Sequence, residues 1–198
     1  MYLFFDTETT GFPRSWKAPV TDLDNWPRIV QIAWILTDEA GAEIEAADYI
    51  VKPDGFTIPE AATRIHRIST ERALQEGVSL NEALTKFAGA FEKSRLLIAH
   101  NINFDRPIVA SELFRLEMPQ NIFEKPSFCT QMQTTDFCKL PSRYRGYKWP
   151  KLEELHRILF DSNFEDGHDA YVDVKACLKC FFELKNRGII AIPDIISA

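Results

Sequence analysis

Apolar residues fall along this chain in two rhythms, and the change from one to the other organises it. Tyr2 to Phe5 is a short apolar run that reads as a buried strand ending at Asp6. RIVQIAWILTD gives a second strand, and EIEAADYIVKP, beginning after Gly41, a third. The short turn Asp38 to Gly41 predicts a hairpin between them. Residues 11–27 read as a polar, proline-containing loop, and residues 54–76 as loop with short helix. From Ser79 onward the spacing becomes helical: Ser79 and Glu82 stand as a capping box, and Leu80, Leu84, Phe87, Ala88 and Phe91 share one face. That pattern predicts a helix from Leu80 to about Glu92.

RLLIA is next, a wholly apolar strand of the central, doubly covered kind. HNINFDRP follows and opens a helix to about Leu116, with Pro107 placed in its first turn. Ile122 to Phe128 is expected as a fifth strand and Thr130 to Cys138 as a helix. A further helix starts after Pro150 with Leu152, Leu155, His156 and Leu159 on one stripe. The last opens near Gly167–His168 and runs to Lys185, burying Ala170, Val174, Cys177, Leu178, Phe181 and Leu184. Strands first in a hairpin and then alternating with helices predict one α/β domain over residues 1–198, built on a mixed sheet.

Composition narrows the class. The chain of 198 residues is 45% hydrophobic, with fifteen phenylalanines, enough for a full aromatic-rich core. No apolar run is long enough to cross a bilayer, and the N-terminus lacks a secretory signal pattern, so a cytoplasmic location and no membrane partner are expected. The formal net charge of -6 argues against coating nucleic acid by charge alone, yet leaves room for an enzyme that meets phosphates through bound cations. Four cysteines, with a C-x-x-C at Cys177 and Cys180 well inside a helix, allow a disulfide or zinc site on paper. They read more simply as free thiols in a reducing interior.

The chemistry sits at strand ends. Asp6 and Glu8 follow an apolar strand directly and, two apart, point to the same side. Buried charge must be paired or bound to a metal, and ligands in open α/β sheets gather at strand carboxyl ends. Asp105 lies just past the end of RLLIA and comes near Asp6 if the two strands are parallel neighbours. Asp173 is a further candidate early in the last helix, with His168 at its beginning. Taken singly, Asp105 is equally a helix-start acid, and Asp173 alone a solvated one. Brought together, these acids would raise one another's pKa values until cations relieved them. Oxygen ligands of this kind suit Mg²⁺ or Mn²⁺, and a pair of such ions is the arrangement that serves phosphoryl transfer.

DTETTG, HNINFD and HDAYVD, in this order and spacing, resemble the three signature segments of the DEDD superfamily of 3′–5′ exonucleases, in its histidine-bearing branch. That group includes the proofreading domain of bacterial DNA polymerase III. The resemblance covers nearly the whole chain. It implies a ribonuclease H-like fold with a five-stranded mixed sheet and two divalent cations, Mg²⁺ or Mn²⁺, held by Asp6, Glu8, Asp105 and Asp173. His168 would take the proton from the attacking water. The implied reaction releases nucleoside 5′-monophosphates from a free 3′ end of single-stranded or frayed DNA or RNA. The implied partners are that nucleic acid and a polymerase or other replication or repair protein.

Substrate contacts are expected from Thr9, Thr10 and Gly11, from Asn101, and from His66 and Arg67. Arg67 stands where the family usually has glycine. KLPSRYRGYKWPK, residues 139–151, interleaves basic and aromatic residues, among them Tyr144, Arg145 and Lys148. It can hold phosphates and stack bases, or form a solvated loop whose aromatics pack on the domain edge. His156 reads as an interior histidine and His100 as support for the loop that aims Asp105. Two other readings stay open: an exoribonuclease that trims RNA 3′ ends, and a non-catalytic nucleic-acid-binding module.

Overall fold

The computed structural model describes residues 1–119, 121–162, 164 and 167–192. Strands β1 (Tyr2–Thr9), β2 (Ile29–Thr37) and β3 (Glu43–Ile50) form an antiparallel meander. Strand β4 (Leu96–Ala99) pairs parallel with the other side of β1, and β5 (Ser127–Cys129) parallel with β4. The order β3-β2-β1-β4-β5 makes β1 the central strand of a five-stranded mixed sheet, as expected. The β2–β3 turn is held by Asp38, whose Oδ1 accepts from the Ala40 and Ala42 amides at 2.9 and 2.8 Å. Gly41 takes φ +97° there, with the Phe182 ring 3.1 Å from where a Cβ would stand, closer than ordinary contact.

The helices are α1 (Glu60–His66), α2 (Thr70–Glu76), α3 (Leu80–Lys93), α4 (Ile102–Arg115), α5 (Thr130–Gln133), α6 (Thr135–Cys138), α7 (Leu152–Phe160) and α8 (Ala170–Asn186). Side-chain alternation on β1 sends Leu3 and Phe5 into a core with Trp34, Phe87, Ile108 and Leu113, on the α3–α4 face. Tyr2 and Phe4 go to the other face, against Leu155, Val174 and Phe181 of α7 and α8. Phe181 meets Tyr2, Phe4 and Phe128 edge-on, with ring centroids 5.7, 5.3 and 5.4 Å away. The same parity carries Asp6 and Glu8 to the α8 face.

Several boundaries differ from the sequence pattern. Strand β1 continues to Thr9, so both carboxylates lie within it rather than after it. Pro107 lies beyond the first turn of α4, where its missing N–H costs an intrahelical bond. The segment expected as a strand from Ile122 to Phe128 is a 3₁₀ turn, Asn121–Phe123, and then the three residues of β5. The helix expected over Thr130 to Cys138 breaks at Thr134, whose hydroxyl bonds back to the Thr130 carbonyl at 2.7 Å; such back-bonding bends helices. Asp169 is the N-cap of α8 and accepts from the Tyr171 and Val172 amides at 3.0 and 3.2 Å.

All four cysteines are free, with Cys129, Cys177 and Cys180 buried. Burial pushes the Cys180 thiol up to about 12 and Cys177 well above its ordinary range, so both are held as protonated thiols in the core. Of the apolar end, Ile190 and Ile192 pack on the α8-side core, while residues 193–198 lie outside the described residues. Among the described residues no helix is long and apolar enough to cross a membrane.

Candidate active site

Three elements bring the predicted acids together. Asp6 and Glu8 stand at the carboxyl half of β1, Asp105 near the start of α4, and Asp173 in the first turn of α8. Asp105 is 2% exposed and is locked to the central strand by Thr7, whose amide and hydroxyl both donate to Oδ1, at 3.0 and 2.7 Å. Asp173 accepts from the His168 amide at 3.2 Å, which draws the residues before α8 over the site. His168 takes φ +71°, a left-handed backbone that turns the chain into the Asp169 cap.

Oxygen and nitrogen atoms of Glu8, His168 and Asp173 lie within 4.8 Å of one another, close enough to share an ion. With Asp6 and Asp105 they line a cavity of about 430 Å³.

The electrostatics are those of an uncompensated acidic cluster. Burial first, and then Asp173, Asp105 and Asp169, push Glu8 up to about 8. Burial raises Asp105 to about 7 against the two Thr7 bonds. Asp173 rises to about 7 through burial, with Asp169 and Glu153 adding to it and the His168 amide opposing. Asp6 is held well above the carboxylate range by burial and by Asp105, Asp173 and Glu8 around it. A donor set of four carboxylates and one imidazole, strained by its own repulsion, fits hard divalent cations such as Mg²⁺ or Mn²⁺.

Two histidines are structural. The His100 ring contacts Thr130 Oγ1 and the Pro150 carbonyl, each at 3.0 Å, and burial lowers it to about 4, so it stays neutral. The buried His156 ring meets the Ser162 carbonyl at 2.9 Å.

The other predicted contacts are dispersed. Asn101 lines the catalytic cavity. His66 and Arg67 line an adjoining cavity of about 400 Å³ that shares His168 with the first. The Ile68 amide donates to His66 Nδ1 at 3.1 Å, and burial lowers the ring's pKa. Arg67 has φ +62° at the end of α1, the left-handed geometry that favours glycine. Thr9, Thr10 and Gly11 do not line the catalytic cavity: Thr9 Oγ1 donates to the Gly11 carbonyl at 2.7 Å, and Thr10 Oγ1 accepts from the Arg28 amide at 2.9 Å. Tyr144 and Arg145 lie on an exposed loop, and Lys148 pairs with Glu154 at 2.6 Å; none of the three reaches either cavity.

The sequence pattern missed several residues. Phe12, Phe104, Gln131 and Lys151 also line the catalytic cavity. Phe12 and Trp16, both exposed, flank Phe104 with ring centroids 5.8 and 6.0 Å away, forming an aromatic rim. Gln31, 2% exposed, stands opposite Glu8 in the β1–β2 register. Its Oε1 accepts from the Ala170 amide at 3.2 Å, and its Nε2 donates to Asp48 at 2.8 Å and Asp169 at 3.4 Å. It thereby pins the start of α8, and with it Asp173, to β2 directly beside Glu8. An exposed apolar residue beside a DTETTG segment could have signalled Phe12. A lone buried glutamine carries no such signal.

Comparison with known proteins finds relatives of the same fold. The RNase_T family model, described as Exonuclease, matches residues 3–181. A curated relative, "Uncharacterized exonuclease CP81" of Escherichia phage 186, is 27% identical over 190 residues, 94% of this chain and 89% of its own. Among solved structures, E. coli exonuclease I in complex with a dT13 oligonucleotide superposes with TM-score 0.74 at 21% identity, over 94% of this chain and 41% of that one. Exonuclease I from Methylocaldum szegediense does so with TM-score 0.73 at 22% identity, over 94% and 40%. The chain thus spans about two fifths of the length of these structural neighbours and shares their fold.

Proposed function

The chain belongs to the RNase_T exonuclease family, and from that premise we propose that it is a histidine-bearing 3′–5′ exonuclease. It hydrolyses the 3′-terminal phosphodiester of a single-stranded or frayed nucleic acid and releases nucleoside 5′-monophosphates. The observation that carries this reading is the convergence of Asp6, Glu8, Asp105, Asp173 and His168 on one cavity. Two bound divalent cations, Mg²⁺ or Mn²⁺, would supply the positive charge that the phosphate needs as negative charge builds on it.

The four carboxylates hold those ions, and Thr7 keeps Asp105 aimed at the cavity through two hydrogen bonds. His168, exposed at the rim, accepts the proton of the attacking water as it adds in line to phosphorus. The departing 3′ oxygen is reprotonated from solvent. Phe12 and Phe104 present ring faces to unpaired bases at the mouth, and Lys151 and Asn101 offer donors to the terminal phosphate and sugar. Because one terminal nucleotide must enter, a single strand or frayed end is the form accepted.

DNA is the substrate first in line, since solved structures of the same fold include exonuclease I in complex with single-stranded DNA. RNA 3′-end trimming is the second reading. Free thiols support a reducing, cytoplasmic setting, where replication or repair would supply frayed ends.

Oligonucleotides of DNA and RNA, labelled at either end, decide the matter in the presence of Mg²⁺, Mn²⁺ or chelator. Metal-dependent shortening from the 3′ end, lost in Asp6→Ala, is the expected result. Shortening from the 5′ end, or unchanged in Asp6→Ala, overturns the mechanism. Binding of the strand without cleavage would favour the non-catalytic module.

A further inference from the structure

A second cavity, of about 690 Å³, holds none of the catalytic carboxylates. Its walls come from the loop before β2, the segment after β3, the start of α3 and the end of α4. Arg28, Lys52 and Arg115 line it, against one acid, Asp54. In a protein with formal net charge -6, such a gathering of cations is not a by-product of composition.

The two arginines are fixed. Glu112, fully buried on α4, accepts from Arg28 Nε and the Ile29 amide with Oε1, at 2.8 and 3.0 Å, and its Oε2 lies 3.2 Å from Arg115 Nε. The Arg28 guanidinium lies over the Phe56 ring at 4.4 Å, and Arg115 Nη2 donates to the Leu23 carbonyl. Arg28 is therefore held by its Nε edge, and Arg115 by its ion pair with Glu112 and by Nη2. Among the described residues no hydrogen bond engages either terminal nitrogen of Arg28, or Nη1 of Arg115. Glu112 neutralises one of the two guanidinium groups, with Asp24 and Asp54 as further acids nearby, and the forked N–H donors left over match phosphate oxygens.

The cavity has a route to the active site. The Thr10 amide donates to the Arg28 carbonyl at 3.0 Å and the Arg28 amide to Thr10 Oγ1 at 2.9 Å, so one wall begins two residues after Glu8. Helix α4 spans both sites: Asp105 near its start lines the carboxylate cavity and Arg115 at its end lines this one, with the exposed Phe12 and Trp16 on Phe104 at the Asp105 end. Along α4, Asp105 and Arg115 are roughly 15 Å apart at the helical rise. A stacked strand covers that in about four nucleotides at ~3.4 Å each.

We propose that this cavity is a second, non-catalytic phosphate site that holds a backbone phosphate of the same strand upstream of its 3′ end. Arg28 and Arg115 supply fixed forked donors and Lys52 a mobile cation. The proposal rests on the nuclease reading. A free phosphate or nucleoside monophosphate shares the chemistry, and the experiment separates the sources.

Lys52 is exposed and touches neither Glu112 nor the carboxylates, so Lys52→Glu is the main variant, with Lys86→Glu on exposed α3 as a control of equal charge. Binding of oligonucleotides of about three and about twelve nucleotides is measured by anisotropy in an Asp6→Ala background across a salt series. Lys52→Glu should weaken the long strand about five- to tenfold and flatten its logarithmic salt slope by about 0.7. Short-strand affinity, and short-strand turnover with Asp6 intact, should not change. Equal loss for both lengths, equal loss in Lys86→Glu, or no loss overturns the proposal. Inorganic phosphate titrated by NMR gives the other arm: shifts at the Lys52 and Ser79 amides, with long-strand affinity unchanged in Lys52→Glu, assign the site to free phosphate and overturn its strand role. Absence of 3′ shortening at any length is a separate readout and counts against the nuclease reading itself.

Discussion

With divalent cations removed by a chelator, this protein should lose stability as the pH rises, and Glu8→Gln should remove much of that loss. Glu8 ionises ordinarily at 4.5 and is pushed up to about 8, by burial first and then by Asp173, Asp105 and Asp169. A carboxyl whose folded value lies above its unfolded value keeps its proton more tightly in the native state. The native state is then favoured below 4.5 and loses that advantage as the pH climbs through about 8. At about 1.36 kcal/mol per unit the gap amounts to roughly 5 kcal/mol. Water reaches part of the half-buried side chain, so a loss of about 2–4 kcal/mol is expected after screening. For a chain of this size that lowers Tm by roughly 5–15 °C. Urea unfolding in chelator, stepped from about pH 5 to about pH 9, reads the slope directly, and Mg²⁺ should restore most of the loss at the upper end. A stability that stays flat or rises over that range, or an identical slope in Glu8→Gln, would refute the reasoning.

His168→Ala should lower kcat by about 10²–10⁴ while calorimetry still detects divalent-cation binding; loss of that binding would make His168 a ligand and not the base. Gln31→Leu should destabilise the protein by about 1–3 kcal/mol, because the Ala170 amide and two carboxylates lose their buried partner. It should also weaken cation affinity, measured by the same titration, and unchanged affinity would separate Gln31 from the site. Glu112→Ala should cost about 3–5 kcal/mol by leaving Arg28 and Arg115 facing each other without their shared carboxylate; a loss below about 1 kcal/mol by denaturant titration would mean that solvent already compensates them.

The acidic cluster was legible because its parts are local. Asp6 and Glu8 sit two apart after an apolar run, and both HNINFD and HDAYVD follow or open recognisable elements. The sheet was legible for the same reason: strand periodicity and the Asp38–Gly41 turn are short-range signals. What escaped depends on contacts made across the fold. Thr7 grips Asp105 from 98 residues away, and Gln31 reaches the start of α8 from 139. Lys148 looked available until its partner Glu154 came beside it. The missed break at Thr134 has a different cause, since a side-chain hydroxyl competing for helix carbonyls leaves the apolar pattern untouched. Arg67 shows the reverse case: standing where the family usually has glycine, it keeps the left-handed φ that glycine would take, at a cost of about 1–2 kcal/mol.

The central placement of β1 has a consequence for how activity is lost. Flanked by β2 and β4, this strand exposes no free ladder edge along Tyr2–Phe4, and its amides should be among the slowest in the chain to exchange with deuterium. Fraying of the outer β3 or β5 does not release Asp6 and Glu8 from their scaffold. Heat inactivation should therefore coincide with cooperative unfolding of the whole sheet, with no earlier step in which a folded but dead enzyme accumulates.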